Sequence, residues 1–240
     1  MKDYTILKVK DKTDSYYTHL QDIFDIPFRL IIVGKSFLSG KSTVILNLLL
    51  RDKFYKNYFD GDDIYIVSNN AMDNKMRILK TEKDVPSDNF MEFSEENLEM
   101  IYNEVEEKAL EAVNDGKKPP NSLIVLDDVA FTGGLKEKMN GTLSRIACNG
   151  RHINLSMIVT AQKYSQLSTV IRTNASGAIL FGNSAKELDL IADDMNYLES
   201  KKDFVKMFRK ATKERNSFLA VSFSNDDIYL DSKFKPIKMD

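Results

Sequence analysis

One stretch constrains the fold more than any other: the apolar run Phe28–Val33, the loop Gly34-Lys35-Ser36-Phe37-Leu38-Ser39-Gly40-Lys41-Ser42, and the apolar segment Thr43–Leu50. A short apolar run bounded by glycine reads as a buried strand, and the run beyond the loop reads as a helix. A strand, a glycine loop and a helix in that order supply what a polyphosphate needs: backbone N–H donors, the positive end of a helix and a mobile cation. Gly40 lets the backbone approach the phosphates. Lys41 is then placed to reach the β and γ phosphates of ATP, and the Ser42 hydroxyl to ligate Mg2+. Gly34, Lys35, Ser36, Ser39 and Thr43 complete the expected nucleotide-binding set. The loop is one residue longer between its glycines than the usual G-x-x-x-x-G-K-[ST] pattern. Either it carries an extra residue, or Lys35 occupies the first glycine position. Gly-Lys-Ser alone would be a plain surface turn, and the flanking strand and helix argue against that.

A second apolar run, Leu123-Ile124-Val125-Leu126, ends in Asp127-Asp128. Carboxylates at the end of a buried strand are costly unless they face a cleft or a cation. In a parallel sheet that strand end lies on the same edge as the phosphate loop. Asp127 then fits the Mg2+-side carboxylate, and Asp128 the group that orients or deprotonates the attacking water. In isolation the pair would be an Asp-rich turn. Together with Lys41 it describes a nucleotide-hydrolysing site.

The remaining pattern continues the alternation. A strand is expected at Ile64–Ser68, with residues 69–93 irregular. A helix is expected from Glu95 to about Val113, with Leu98, Ile101, Tyr102, Val105, Ala109 and Ala112 at helical spacing and Gly116 as its stop. Another helix is expected from about Leu135 to Cys148, followed by strands at Leu155–Ala161 and Ala178–Phe181 with a polar segment between them. Ser184 and Glu187 form a capping-box pattern opening a helix toward Leu198. A basic helix at roughly 201–213 leads to a hairpin of Phe218–Phe223 and Ile228–Leu230. The fold class is therefore α/β, a mostly parallel central sheet with helices on both faces and an antiparallel hairpin at its edge. Residues 1–26 read as an N-terminal extension, 27–223 as the core and 224–240 as a C-terminal tail.

With 240 residues, 42% of them hydrophobic and 29% charged, the chain suits a single globular domain. Its only cysteine, Cys148, cannot form an internal disulfide, which suggests a reducing intracellular setting. No apolar stretch is long enough to span a bilayer, and Met1-Lys2-Asp3-Tyr4 lacks the apolar core of a signal peptide. A net charge of −2 means that any grip on nucleic acid must use local patches.

The stretch Arg145-Ile146-Ala147-Cys148-Asn149-Gly150-Arg151-His152-Ile153-Asn154-Leu155-Ser156-Met157-Ile158-Val159-Thr160-Ala161-Gln162 is more specific than either motif. Leu167, Val170-Ile171-Arg172-Thr173-Asn174 and the strand Ala178–Phe181 follow it. This order resembles the genome-packaging ATPases of poxviruses and other large nucleo-cytoplasmic DNA viruses, a family that extends to virophages within the FtsK/HerA superfamily. The resemblance runs from residue 27 to about 230, nearly the whole chain, and the Asp-Asp ending is typical of the viral branch.

The resemblance implies a P-loop NTPase of RecA/FtsK type that uses ATP and Mg2+ and packages viral double-stranded DNA, regardless of sequence, into a preformed capsid. It implies a homo-oligomeric ring, pentamer or hexamer, with capsid vertex proteins as partners. The places implied are the virus factory in the host cytoplasm and the virion vertex. Gln162 falls where the family has its polar γ-phosphate sensor; the bland alternative is a surface glutamine at a strand end. Ring ATPases often complete a site with an arginine from the neighbouring subunit. Arg151 is the first candidate, with Arg145 and Arg172 behind it, although ion-pair or solvent-facing duty suits each as well. His152 receives no catalytic role. Candidate DNA contacts are Lys201, Lys202, Lys206, Arg209, Lys210, Lys213 and Arg215, with Lys163 and Arg172 after Gln162. Asp203 and Glu214 interrupt the basic run, and a solvated helix face is the plainer reading. Competing functions are a RecA-like helicase, a P-loop kinase (although no arginine-rich lid follows the sheet), or a virion structural protein that binds nucleotide with little turnover.

Overall fold

The computed structural model describes residues 23–35, 39–70, 73–129, 135, 141–226 and 228–238. In chain order its elements are β1 (Arg29–Val33), α1 (Lys41–Leu50), β2 (Ile64–Ser68), α2 (Asn74–Glu82), β3 (Phe90–Met91), α3 (Glu95–Asn114), β4 (Ser122–Asp127), α4 (Thr142–Asn149), β5 (Leu155–Ala161), α5 (Thr169–Asn174), β6 (Gly177–Phe181), α6 (Ala185–Met195), α7 (Lys201–Ala211), β7 (Phe218–Ser222) and β8 (Tyr229–Leu230). Among the described residues the strands form one sheet in the order β3-β2-β4-β5-β1-β6-β7-β8. The first six in that order pair in parallel, while β7 and β8 close the edge in antiparallel pairing.

β1 and β4 read as nearly continuous apolar runs because both their faces are covered. In β1, Leu30 and Ile32 point to one side and pack with Ile45, Leu48 and Leu49 of α1. Ile31 and Val33 point to the other, toward Ile101 and Val105 of α3, Ile146 of α4 and Ile191 of α6. β4 divides the same way, with Leu123 and Val125 on the α1 face and Ile124 and Leu126 on the α3 face. Each such fully buried side chain contributes about 1.5–3 kcal/mol, and these contacts fix the strands whose ends form the candidate site. None of the helices, among the described residues, is long and apolar enough to cross a membrane.

Several expectations need correction. The span 69–93 is not irregular: it holds α2 and the short edge strand β3. α2 buries only Met76 and Leu79, too thin an apolar stripe to be recognised from periodicity. It is set instead by its cap, the Asp73 carboxylate, which accepts from the backbone N–H of Lys75 at 2.7 Å and of Met76 at 3.3 Å. Within the segment between β5 and β6 lies α5, a six-residue helix capped by Ser168. The helix expected from Leu135 is seen as α4 from Thr142; most of 130–140 lies outside the described residues. The Ser184/Glu187 capping box is only half made. Ser184 caps the Glu187 N–H, but the buried Glu187 carboxylate accepts instead from the Ser165 N–H at 2.9 Å and its hydroxyl at 2.8 Å. That contact ties α6 to the segment leaving β5. The basic helix α7 buries Phe204, Met207 and Phe208 against the core, and its Lys201 pairs with Asp189 and Asp193 of α6. Lys202, Lys206, Arg209 and Lys210 are exposed.

Candidate active site

β1 and β4 do not touch; β5 runs between them and pairs with both. The loop after β1, the carboxylates ending β4 and the residue following β5 therefore emerge side by side at the C-terminal edge of the parallel strands, where open α/β sheets bind ligands. The Gly34 N–H donates to the Ala161 carbonyl at 3.0 Å, pinning the loop entry to β5. A Cβ at Gly34 would stand 2.9 Å from both the Phe181 side chain and Ser39 Cβ, so the chain has room only for glycine there. Gly40 has φ 92°, the left-handed region that favours glycine, and it turns the chain into α1. Ser36 lies outside the described residues, as do Phe37 and Leu38. Lys35 is exposed.

Lys41 is buried, and its Nζ donates back to the Gly34 carbonyl at 2.9 Å and the Lys35 carbonyl at 3.4 Å. Burial lowers the pKa of its ammonium, and the charges of Asp128 and Asp127 work against that shift. The two aspartates are organised by a residue that the motif reading missed. The Thr160 hydroxyl donates to Asp127 Oδ1 at 2.8 Å and accepts from the Asp128 N–H at 3.0 Å. Asp128 adopts φ 56°, a conformation Asp tolerates better than most residues, and Gln162 Nε2 reaches its Oδ1 at 3.4 Å. Gln162 is itself held from behind, since its N–H and that of Lys163 both donate to Gln166 Oε1.

Two adjoining cavities open over the loop. One, about 400 Å³, is lined by Lys41, Ser42, Asp73, Asn74, Lys75, Asp127 and Asp128. The other, about 260 Å³, is lined by Ser39, Gly40, Lys41, Ser42, Thr43, Lys75 and Asn216. Asp73 and Lys75, from the start of α2, are further site residues absent from the sequence expectations. Among the described residues no group of three or more His, Cys, Asp or Glu side chains could hold a metal alone. Mg2+ keeps several waters and shares its ligands with substrate phosphates, so it needs only one or two protein oxygens. Ser42 and Asp127 line the same cavity, and a buried carboxylate is the oxygen donor such a cation requires.

Asp127 shows what that burial does without a cation. Its pKa is raised to about 6, chiefly by desolvation; the Thr160 hydrogen bond opposes the shift, Asp73 and Asp128 add to it, and Lys41 opposes it. An unfolded Asp titrates near about 3.9. Between that pH and about 6 the folded state keeps a proton that the unfolded chain releases, so stability falls as pH rises through this window. Above it the full penalty applies, on the order of 2–3 kcal/mol. The Asp127→Asn protein, without Mg2+ or nucleotide, is therefore expected to melt higher than the parent at pH 7, by roughly 5 °C, and alike near about pH 4. Thermal melts across pH check this, and a variant no more stable at neutral pH contradicts it.

The family model described as "Poxvirus A32 protein" matches residues 17–234. The chain belongs to the poxvirus A32 protein family. This A32-family chain is 25% identical over 218 residues to the DNA packaging protein OPG160 of vaccinia virus (strain Copenhagen), covering 90% of the chain and 75% of that protein. The same identity and coverage hold for the variola virus protein of that name. Among solved structures, the genome packaging NTPase B204 of Sulfolobus turreted icosahedral virus 2 in complex with sulfate superposes with TM-score 0.56 at 15% identity, over 86% of this chain and 93% of that one. Its complex with AMPPCP gives TM-score 0.54 at 15% identity, over 85% and 93%. At that identity the likeness speaks for the fold.

The candidate arginines of this A32-family chain are placed very differently. Arg151 is exposed in the 3-10 turn Gly150–Ile153, just before β5 begins, whereas Gln162 follows its end. Seven strand residues separate those edges by roughly 23 Å, so Arg151 cannot reach Lys41 of its own chain. Its Nε donates to His152 at 3.3 Å, and it forms no ion pair among the described residues. Arg145 pairs with Glu106 at 3.3 Å and lies 3.8 Å over the Tyr102 ring. Arg172 pairs with Asp194 and sits over Tyr164. Both are already engaged within the chain.

Proposed function

We propose that this A32-family protein is the ATP-driven translocase that packages viral double-stranded DNA into a preformed capsid. The observation that carries the reading is the assembly around β5: Lys41 on one side, Asp127 and Asp128 on the other, and Thr160 and Gln162 between them. The loop N–H groups and Lys41 hold the β and γ phosphates. Ser42 and Asp127, which line one cavity, would hold Mg2+, and the cation would supply positive charge against the phosphates. Asp128 takes a proton from, or orients, the attacking water in line with the γ-phosphate. Gln162 senses loss of that phosphate through its contact to Asp128, and Gln166 backs it directly.

The site acts in a ring of five or six copies. Arg151, out of reach of its own nucleotide, stabilises the transferred phosphoryl group bound by the adjacent subunit. Packaging must work on any sequence, so the chain contacts DNA phosphates rather than base edges. The exposed lysines and arginines of α7 and Lys163 are the candidates. Capsid vertex proteins are the further partners, and the virus factory and virion vertex are the places of action.

ATP hydrolysis is expected to rise several-fold on adding double-stranded DNA of unrelated sequences, to lose that stimulation steeply as salt increases, and to vanish in Lys41→Ala. Phosphate release with and without DNA tests this. Hydrolysis indifferent to DNA rejects the motor, and tight nucleotide binding without turnover points to an assembly role instead.

A further inference from the structure

Lys75 stands where the two cavities over the phosphate loop meet and lines both of them. We propose that Lys75 is a second cation for the bound polyphosphate, supplied from α2 of the same chain and gripping the α-phosphate side of ATP and ADP alike. The proposal deepens the ATPase reading and rests on it.

The placement is built into the fold. Met76 and Leu79 bury α2 in the same cluster as Ile45, Leu48 and Leu49 of α1, which sets the first turns of the two helices side by side. The Lys75 ammonium crosses the gap and donates to Thr43 Oγ1 at 2.7 Å. Three nearby carboxylates, Asp73, Asp127 and Asp128, line the larger cavity, yet Lys75 pairs with none of them; Asp73 instead spends its Oδ1 on the backbone N–H of Lys75. Among the described residues the ammonium forms no ion pair. A neutral hydroxyl is a weak partner for a cation, and a phosphate oxygen at the same place would form a shorter, charge-assisted bond.

The position also sets which phosphate is held. Lys41 and Ser42 serve the β and γ groups, whereas Thr43 is one residue further along α1 and lines the cavity that Asn216 borders. A cation held at Thr43 thus faces the part of the nucleotide that ATP and ADP share. Such a contact is equally strong before and during γ-phosphate transfer, so it strengthens binding without lowering the chemical barrier. It also offsets the three carboxylates, which by themselves repel the incoming nucleotide.

Calorimetric titration of the full-length protein with ADP and with the non-hydrolysed analogue AMPPCP, both with Mg2+, tests the assignment alongside steady-state hydrolysis and melting of the nucleotide-free protein. Lys75→Ala is expected to raise both Kd values by a common factor of about ten. It should raise KM similarly, change kcat by less than about threefold, and leave the nucleotide-free Tm unaltered. Lys75→Arg should recover most of the affinity. An ADP Kd within twofold of the parent overturns the proposal. So does weakening confined to AMPPCP, which would put the lysine on the γ-phosphate, and so does a lowered nucleotide-free Tm, which would make its role structural. A parent protein that binds neither nucleotide overturns this proposal and the ATPase reading together, whereas a parent that binds while Lys75→Ala binds equally well overturns this proposal alone.

Discussion

The Asp128→Asn protein is expected to bind ATP with parental affinity while its hydrolysis falls by about 10²- to 10⁴-fold, the usual contribution of a positioned general base. Asn keeps the size of the side chain and an oxygen for Gln162, and the backbone N–H to Thr160 is untouched. What it lacks is the capacity to take a proton. Lys41 and Ser42, the residues proposed to hold the nucleotide, line the same cavity and are unchanged. Phosphate release together with a nucleotide titration separates the two effects. Turnover within tenfold of the parent would move the base to another carboxylate in the cleft, such as Asp73.

Loss of Arg151 is expected to be comparably severe. Arginine fingers contribute about 10³- to 10⁵-fold, and the placement of Arg151 makes any such contribution an intersubunit one. Mixing Arg151→Ala with parent subunits should then depress activity more steeply than dilution, because each variant disables its neighbour's site. A sharper form pairs two inactive proteins. Arg151→Ala retains Asp128, Asp128→Asn retains Arg151, and mixed rings should regain hydrolysis at interfaces that join the two intact groups. No recovery, with activity falling in proportion to the variant added, would remove Arg151 from the reaction. Arg145 and Arg172 are poorer candidates because Glu106 and Asp194 already hold them.

The parts of the site that were readable lie where a local rule suffices. A strand buried on both faces is mostly apolar, so β1 and β4 stood out, and with them Gly40, Lys41, Asp127 and Asp128 beyond or at their ends, whereas Gln162 after β5 was singled out only through the family resemblance. Strand order is another matter. That β5 separates β1 from β4 is decided by crossover connections, and it is this order that puts Thr160 between the two aspartates. β5 buries two hydroxyls, Ser156 and Thr160, and only Thr160 lies at the strand's C-terminal end, which was the available signal for it. Asp73 and Lys75 were missed with α2, whose stability comes from its cap and from packing on α1 rather than from a visible apolar stripe. Glu187 matched a helix-capping pattern and is used across the fold instead, on Ser165. Local pattern cannot say which of two partners a buried carboxylate will choose.

Movement along DNA is the central claim, and displacement of a triplex-forming oligonucleotide from blunt double-stranded DNA measures it directly. The parent protein with ATP and Mg2+ is expected to strip the third strand from duplexes of any flanking sequence, and the Asp128→Asn protein to leave it in place. Rapid ATP hydrolysis by the parent with no strand released would contradict the account.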